Sequence, residues 1–512
     1  MADANGAAGA RPAEWREPAA VAFLACATFC WLVVRACIQS VTIDEADSFR
    51  MFAAGPTAIP WYPSSGNHLL NTLLERLSWN VFGFNQVALR LPALLGGAIY
   101  LFAAARICGK LAGAVFQTLA FLCLALNPFV LDYLVAARGY SLAAGFLLAA
   151  VAVFWELVEQ SQASRPAFLL PCAFASILLA LSFSANFSFA VVDGVTAVIF
   201  LAALFLCGER RFGLLAASIS LPGISVVFFL CGSVLLHWPR GQIVYGAQTL
   251  REMWSSLYAA SFPAPNPEIV NPMLYPAWAM AGPALCVGGL ILLCAQVGLM
   301  FLPGLRKAVP FRYRAIPTAL SAIVVATVVV HWAAHRAFGV LLPQARTALF
   351  FAPLLTLLFA SSAAVLRRER AFHWLSIPGV VFLGITSLYF FGCLRLHYFQ
   401  EWKFNEDTKD VYWVIRDAEQ RCGIHEFAVE WRYTAVLNFY RTQYGNLTMK
   451  PFTKSFDGSF PAGKDAYVLY YPDSLEFIKN NGLSVWYNNA DTGASVAVRA
   501  CNGPDKTDDH VR

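Results

Sequence analysis

Apolar residues in this chain gather into long unbroken runs separated by short polar connections. The runs lack the strict alternation of a half-buried strand, and most approach the length of about 20 residues that a helix needs to cross a bilayer. Eleven such runs are predicted to be transmembrane helices: 19–39, 86–107, 112–130, 140–158, 167–184, 187–207, 213–235, 278–302, 317–335, 347–366 and 374–394. The breaks at Asn127-Pro128 and at Ser184-Ala185-Asn186 are made by only two or three residues. Composition agrees with the pattern: 58% of residues are hydrophobic and 13% charged, with a mean hydropathy of +0.56. That balance excludes an ordinary soluble domain.

Charge gives the runs an orientation. Alternate connections carry Arg106 and Lys110, then Arg165, then Arg210 and Arg211, then Arg306, Lys307, Arg312 and Arg314, then Arg367, Arg368 and Arg370. Short basic loops stay cytoplasmic. Residues 1–18 are then a cytoplasmic tail, and the first run is a retained anchor because no small-residue cleavage site follows it. Residues 19–394 form the membrane domain, with external loops at 40–86 and 237–277, and residues 395–512 lie outside, in the periplasm for a bacterial inner membrane. The net charge of +6 follows from this bias, and no polybasic stripe points to nucleic acid.

The external segments differ in character. Residues 69–82 of the first loop have the pattern of an amphipathic helix lying along the membrane surface. From residue 395 the chain turns polar and mixed. Helices are expected at 407–420 and 473–479, and strands at 427–431, 466–471, 484–487 and 495–500, giving a small α/β domain. It contains no glycine-rich phosphate loop. Most of the thirteen cysteines fall within the apolar runs, but Cys422 and Cys501 fall in this outer domain. An oxidising compartment permits a disulfide between them, and two buried thiols are the alternative.

Candidate chemistry clusters on the external side. Asp44 and Glu45 follow the first run directly, where carboxylates near hydrocarbon are costly and usually functional. Neighbours in sequence cannot share a helix face, so the two point differently. Either they act on a substrate, one of them as a general base, or they cap a surface helix beginning near Ala46. Asn67 and His68 follow a Gly66 turn in the same loop. His68 can bind a divalent ion, orient a phosphate or satisfy a helix end. Asp132, Arg138 and Tyr140 fall at the outer end of the next spans. Arg138 suits bidentate phosphate binding, or an ion pair with Asp132 or Glu45. Arg346 opens a later span, where it reads a lipid phosphate or extends to the interface.

Three segments in order, Asp44-Glu45, Gly66-Asn67-His68-Leu69-Leu70-Asn71 and Ala137-Arg138-Gly139-Tyr140, resemble the GT-C superfamily of polytopic membrane glycosyltransferases. The similarity is to the branch of protein O-mannosyltransferases, lipid A aminoarabinose transferases and bacterial Rgt-type sugar transferases. It covers residues 19–140 by motif and the remainder by helix count and outer domain. The resemblance implies transfer of a sugar from a polyprenyl-phosphate donor to a glycan, lipid or protein acceptor at the outer face, usually with inversion. It implies Asp44 as the base on the acceptor hydroxyl, Glu45 as an orienting group, and Arg138 with Arg346 on the departing phosphate. His68 would support the loop or a metal, which leaves a divalent cation open. Aminoarabinose transferases carry Arg-Tyr two and three residues after their acidic pair, where this chain has Asp47-Ser48. Their phosphate contacts and their sugar are therefore not carried over. The competing readings are a transporter or flippase of lipid-linked saccharides, a ligase of such saccharides, and a noncatalytic scaffold. A transporter would show paired broken helices in two related halves, and no internal repeat is evident.

Overall fold

A backbone surrounded by lipid must satisfy its own hydrogen bonds, so long apolar runs become helices. The computed structural model describes residues 19–499 except 56–57, 161–167, 207–210, 240, 242–244, 369, 447, 456–459 and 462. The expected cytoplasmic tail, residues 1–18, lies outside the described residues. The first part of the membrane domain consists of α1 (Ala19–Ile38), α2 (Ile43–Ser48), α3 (Leu69–Phe82), α4 (Gln86–Cys108), α5 (Ala114–Ala125), α6 (Pro128–Tyr133) and α7 (Tyr140–Gln160). It continues through α8 (Leu169–Ala185), α9 (Ala190–Leu206), α10 (Phe212–Leu236), α11 (Leu250–Ser261) and α12 (Tyr275–Leu299). It closes with α13 (Pro303–Ala308), α14 (Phe311–Phe338), α15 (Phe351–Arg368) and α16 (Ile377–Gly392).

Among the described residues nine helical segments are long and apolar enough to cross a membrane, and α5 and α8 are shorter apolar helices. Each of the eleven expected runs coincides with one of these. The chain is a multi-pass membrane protein. The run expected at 112–130 is broken in two because the Asn127 side chain accepts from the N–H groups of Phe129 and Val130, while Pro128 starts α6. That break turns the chain so that Asp132, Tyr133 and the turn after them face the outer site. At the other narrow break, Asn186 caps a 3₁₀ turn that leads into α9.

The core of the membrane domain is the α4–α7 crossing. A Cβ at Gly96 would sit 2.4 Å from the backbone N of Leu142, and one at Gly145 would sit 2.6 Å from the Gly96 carbonyl. Only glycine allows this approach, as small residues do generally between membrane helices.

The outer domain holds α17 (Thr408–Cys422), β1 (Phe427–Glu430), α18 (Trp431–Gln443), β2 (Thr453–Ser455), β3 (Ala466–Tyr470), α19 (Tyr471–Asn480), β4 (Leu483–Asn488) and β5 (Ala494–Arg499). The sheet order is β2-β1-β3-β5-β4, with β1 parallel to β2 and β3, and β5 antiparallel to β3 and β4. The sequence pattern does not reveal α18, whose aromatic and β-branched residues carry little helix signature. Cys422 is disulfide-bonded, and Cys501 lies outside the described residues.

This domain is fastened to the segment that carries Asp44. Val41 N–H donates to Tyr440 Oη at 2.8 Å and Ile43 N–H to Asn405 Oδ1 at 2.9 Å. Gln86 N–H donates to Gln443 Oε1 at 3.0 Å. The strand–helix region therefore braces α2 on one side, while Arg90 of α4 and the C-terminal end of α1 hold it on the other.

Candidate active site

The short helix α2 begins with a reciprocal cap. Thr42 Oγ1 accepts from Glu45 N–H at 3.2 Å, and Glu45 Oε2 accepts from Thr42 N–H at 2.8 Å. Helix twist then sends the two acidic side chains apart. Glu45 points inward and is wholly buried. Arg90, at the outer end of α4, grips it with Nε–Oε1 at 3.0 Å and Nη2–Oε2 at 2.8 Å. Ala137 N–H adds a second donor to Oε1 at 2.8 Å. The remaining donors of Arg90 go to the carbonyls of Ala36, Gln39 and Ser40 at 2.8–3.1 Å. Burial alone would raise the Glu45 pKa, but Arg90, Ala137 N–H and Thr42 N–H together hold it below the ordinary carboxylate value.

Asp44 points the other way, and its side chain is 26% exposed. Oδ2 accepts from Arg346 Nη1 at 2.9 Å, and the same nitrogen reaches Glu401 Oε1 at 2.6 Å. Glu401 in turn accepts from the Tyr133 hydroxyl. Arg346 lies over the rings of Tyr245 and Trp402, its guanidinium carbon 4.6 and 6.0 Å from their centroids. Ala345, just before it, has φ +42°, and its N–H is held by Ser256 Oγ at 2.9 Å. A non-glycine residue in that region costs about 1–3 kcal/mol, so the turn presenting Arg346 is held under strain. Among the described residues Asp44 Oδ1 makes no hydrogen bond.

Arg138 closes the site from the turn after α6. Its Nη1 donates to the Asp44 carbonyl at 3.1 Å and to the Ser48 hydroxyl. Both partners are neutral, so the charge of Arg138 meets no carboxylate within ion-pair distance among the described residues. The ion pair expected between Arg138 and Asp132 or Glu45 is not formed. Asp132 is taken by Arg35 of α1 at 2.6 Å and by Gln400 N–H at 2.8 Å, and Glu45 is taken by Arg90. Arg35 and Arg90 are isolated charges inside or at the edge of apolar runs, each needing a buried partner. That rule, applied to those two positions, would have found both pairs. Nothing in the sequence pattern marks Glu401 or Tyr133.

The other candidates sort by geometry. Asn67 is buried and spends its amide on the Pro60 and Tyr62 carbonyls at 2.7 and 2.9 Å, while its oxygen accepts from Thr72. It shapes the first loop. His68 occupies the N-cap position of α3 without making a side-chain cap. Its ring lies 5.4 Å from that of Tyr140, which in turn lies 4.9 Å from Tyr133. Burial, aided by the charges of Arg138 and Arg346, pushes the His68 pKa well below its ordinary value, so the ring is neutral. Gly139 between Arg138 and Tyr140 has φ +72°, and a Cβ there would fall 2.2 Å from the Ala185 carbonyl. The Arg-Gly-Tyr turn exists only because that residue is glycine. Asp44, Arg138, Arg346, His68 and Tyr140 are thus brought to one place, whereas Glu45, Asp132 and Asn67 frame it. Among the described residues no three His, Cys, Asp or Glu side chains converge to hold a metal ion.

No family model matches the chain, and no curated protein matches it in sequence. In structure it is similar to ArnT from Cupriavidus metallidurans bound to undecaprenyl phosphate, with 13% identity and a TM-score of 0.46 over 95% of this chain and 98% of that one. It is similar to the arabinosyltransferase EmbB from Mycobacterium smegmatis, with 14% identity and a TM-score of 0.42 over 71% of this chain but 32% of that one. It is also similar to the archaeal oligosaccharyltransferase AglB from Archaeoglobus fulgidus, in complex with an inhibitory peptide and a dolichol-phosphate. That match has 12% identity and a TM-score of 0.37, over 82% of this chain and 63% of that one. These are likenesses of shape, and the functional reading rests on the site itself.

Proposed function

We propose that the chain is a membrane glycosyltransferase that uses a polyprenyl-phosphate-linked sugar at the outer face, with the N-terminus cytoplasmic and the sheet domain outside. The observation that carries this reading is the pairing of two groups side by side. Among the described residues Asp44 has one oxygen held by Arg346 and the other without a hydrogen bond, and Arg138 beside it has no carboxylate within ion-pair distance. A base and an unneutralised cation side by side suit a displacement that takes up a proton on one side and releases an anion on the other.

In that displacement the acceptor hydroxyl loses its proton to Asp44 Oδ1, and its oxygen forms a bond to the anomeric carbon. The bond from that carbon to the phosphate oxygen breaks, and the electron pair leaves with polyprenyl phosphate. Arg138 takes the developing charge, which a fixed cation does most effectively where water is scarce. Arg346 already serves Asp44 and Glu401, so its first task is to aim Asp44. Glu45 and Arg90 position the helix that carries the base, and Asp132 with Arg35 ties the turn after α6 to α1 and to the backbone at Gln400. A lipid-anchored donor removes the need for a nucleotide-binding domain.

The test is purified protein in bilayer nanodiscs offered a panel of sugar-loaded polyprenyl phosphates together with glycan, lipid and protein acceptors. The expected result is release of polyprenyl phosphate with the sugar recovered on an acceptor. Donor carried intact across sealed vesicles without release would establish the flippase reading instead.

A further inference from the structure

Helix α3 is turned inside out for a surface helix. Its apolar residues Leu77, Val81 and Phe82 face outward, 60–63% exposed, as a helix lying on a membrane requires. Its buried face is polar: His68, Asn71 and Glu75, spaced i, i+3 and i+7, are 6%, 3% and 1% exposed. Asn71 Nδ2 donates to Glu75 Oε1 at 2.6 Å. Both ring nitrogens of His68, Asn71 Oδ1 and Arg138 Nε are buried with no hydrogen-bond partner among the described residues. Buried polar atoms are nearly always paired, so four unpaired ones around a single patch call for a polar occupant. The patch adjoins the reacting groups, since Arg138 also touches the Asp44 carbonyl and the His68 ring packs at a tilt against that of Tyr140.

The chemistry of these atoms selects the occupant. Arg138 Nε and one His68 nitrogen donate, whereas Asn71 Oδ1 and the other His68 nitrogen accept. A phosphate only accepts and would leave the acceptors unanswered. A hydroxyl donates and accepts, so a ring bearing several hydroxyls answers both kinds. Among the described residues Arg138 has no carboxylate within ion-pair distance, which disfavours an ammonium group nearby. Burial, with the charge of Glu45, pushes the Glu75 carboxyl well above its ordinary pKa against the pull of Asn71 and Arg138, and its Oε1 accepts from Asn71.

We infer that the inward face of α3 is the subsite for the transferred sugar, a ring bearing several hydroxyls, and that Glu75 positions the sugar-facing Asn71 through their hydrogen bond. This inference rests on the donor reading above. It is tested with wild type, Glu75→Gln and Glu75→Leu in nanodiscs, reading two quantities. One is binding of sugar-free polyprenyl phosphate, and the other is KM for polyprenyl phosphate loaded with a neutral hexose.

Expected are unchanged binding of sugar-free polyprenyl phosphate in all three proteins and a KM for the neutral donor raised at least tenfold in Glu75→Leu. In Glu75→Gln, which keeps shape and hydrogen-bonding capacity, KM should stay within about threefold of wild type, as a tenfold step corresponds to about 1.4 kcal/mol. A wild-type KM in Glu75→Leu overturns the inference, as does a parallel loss of sugar-free polyprenyl phosphate binding, which would mark a structural or phosphate role. Should Glu75→Leu fail to fold, neutral donors each lacking one ring hydroxyl decide the matter. At least one should lose tenfold in kcat/KM on wild type, with the ranking altered in Glu75→Gln, and an unaltered ranking overturns the inference. If wild type neither binds nor releases polyprenyl phosphate, the donor reading itself falls and this one with it.

Discussion

Around Glu45 the protein is dry and closed: both partners of the Glu45–Arg90 pair are 0% exposed, and every oxygen of the carboxylate is spoken for by a guanidinium or backbone N–H. Around Asp44, one residue earlier, the Arg346 and Asp44 side chains are 18% and 26% exposed, and a single nitrogen is shared by two carboxylates. The first arrangement has one low-energy state. The second is shared, with one guanidinium nitrogen of Arg346 divided between Asp44 and Glu401. Adjacent residues of the same charge therefore divide into a buried support and a partly exposed carboxylate, the one proposed above as the base, and the cap at Thr42 with the twist of α2 makes the division.

The sharpest way to break this comparison is to unpair the dry side. Glu45→Ala leaves Arg90 charged and buried without a partner, a change that costs about 3–5 kcal/mol. The expected outcome is loss of the folded protein, measured as thermal unfolding in detergent, and Arg90→Ala should do the same. On the open side, Arg138→Gln should fold normally and lose about 10²–10³-fold in donor turnover, the range for removing one group that stabilises developing charge. Single-turnover release of polyprenyl phosphate measures it. Glu401→Gln frees one claim on Arg346. Its effect on stability should stay within about 1 kcal/mol, as for other partly exposed pairs, while the pH dependence of turnover shifts because Arg346 then serves Asp44 alone.

The smallest effect belongs to the brace outside the membrane. Burial, together with Asp407, Glu268 and Asp491 and against Lys403, raises the Glu406 pKa to about 7. The folded state thus holds that proton more tightly than the unfolded one. The stability it contributes is complete below pH 4.5, the ordinary carboxylate value, and is lost as pH rises through about 7. Glu406→Gln should therefore be more stable than wild type at pH 8 and indistinguishable from it near pH 4, measured by unfolding of the purified protein.

Much of this was legible in the chain, and the part that was not has a common cause. Hydropathy is a property of single residues in order, so the eleven apolar helices and the break at Asn127-Pro128 could be read directly. The site segments were visible because Asp44, Gly66-Asn67-His68 and Arg138-Gly139-Tyr140 each carry a local signature. What escaped depends on which helix faces which. Arg35, Arg90 and Glu401 meet partners up to 268 residues away, a matter of helix packing that no local pattern encodes. Glu75 escaped for a different reason. A surface helix is read with its polar side toward water, and α3 places part of that side inward. The fastening of the outer domain onto α2 through Tyr440 and Asn405 was likewise invisible, because α18 has the composition of a strand.

The most direct test of the division between the two carboxylates is one paired measurement on Asp44→Asn and Glu45→Gln: thermal unfolding and donor turnover of each against wild type. Asp44→Asn should unfold within a few degrees of wild type and lose turnover by about 10²–10⁴-fold, the contribution of a general base. Glu45→Gln should unfold well below it. Wild-type turnover in Asp44→Asn, or equal unfolding temperatures for all three proteins, would contradict the account.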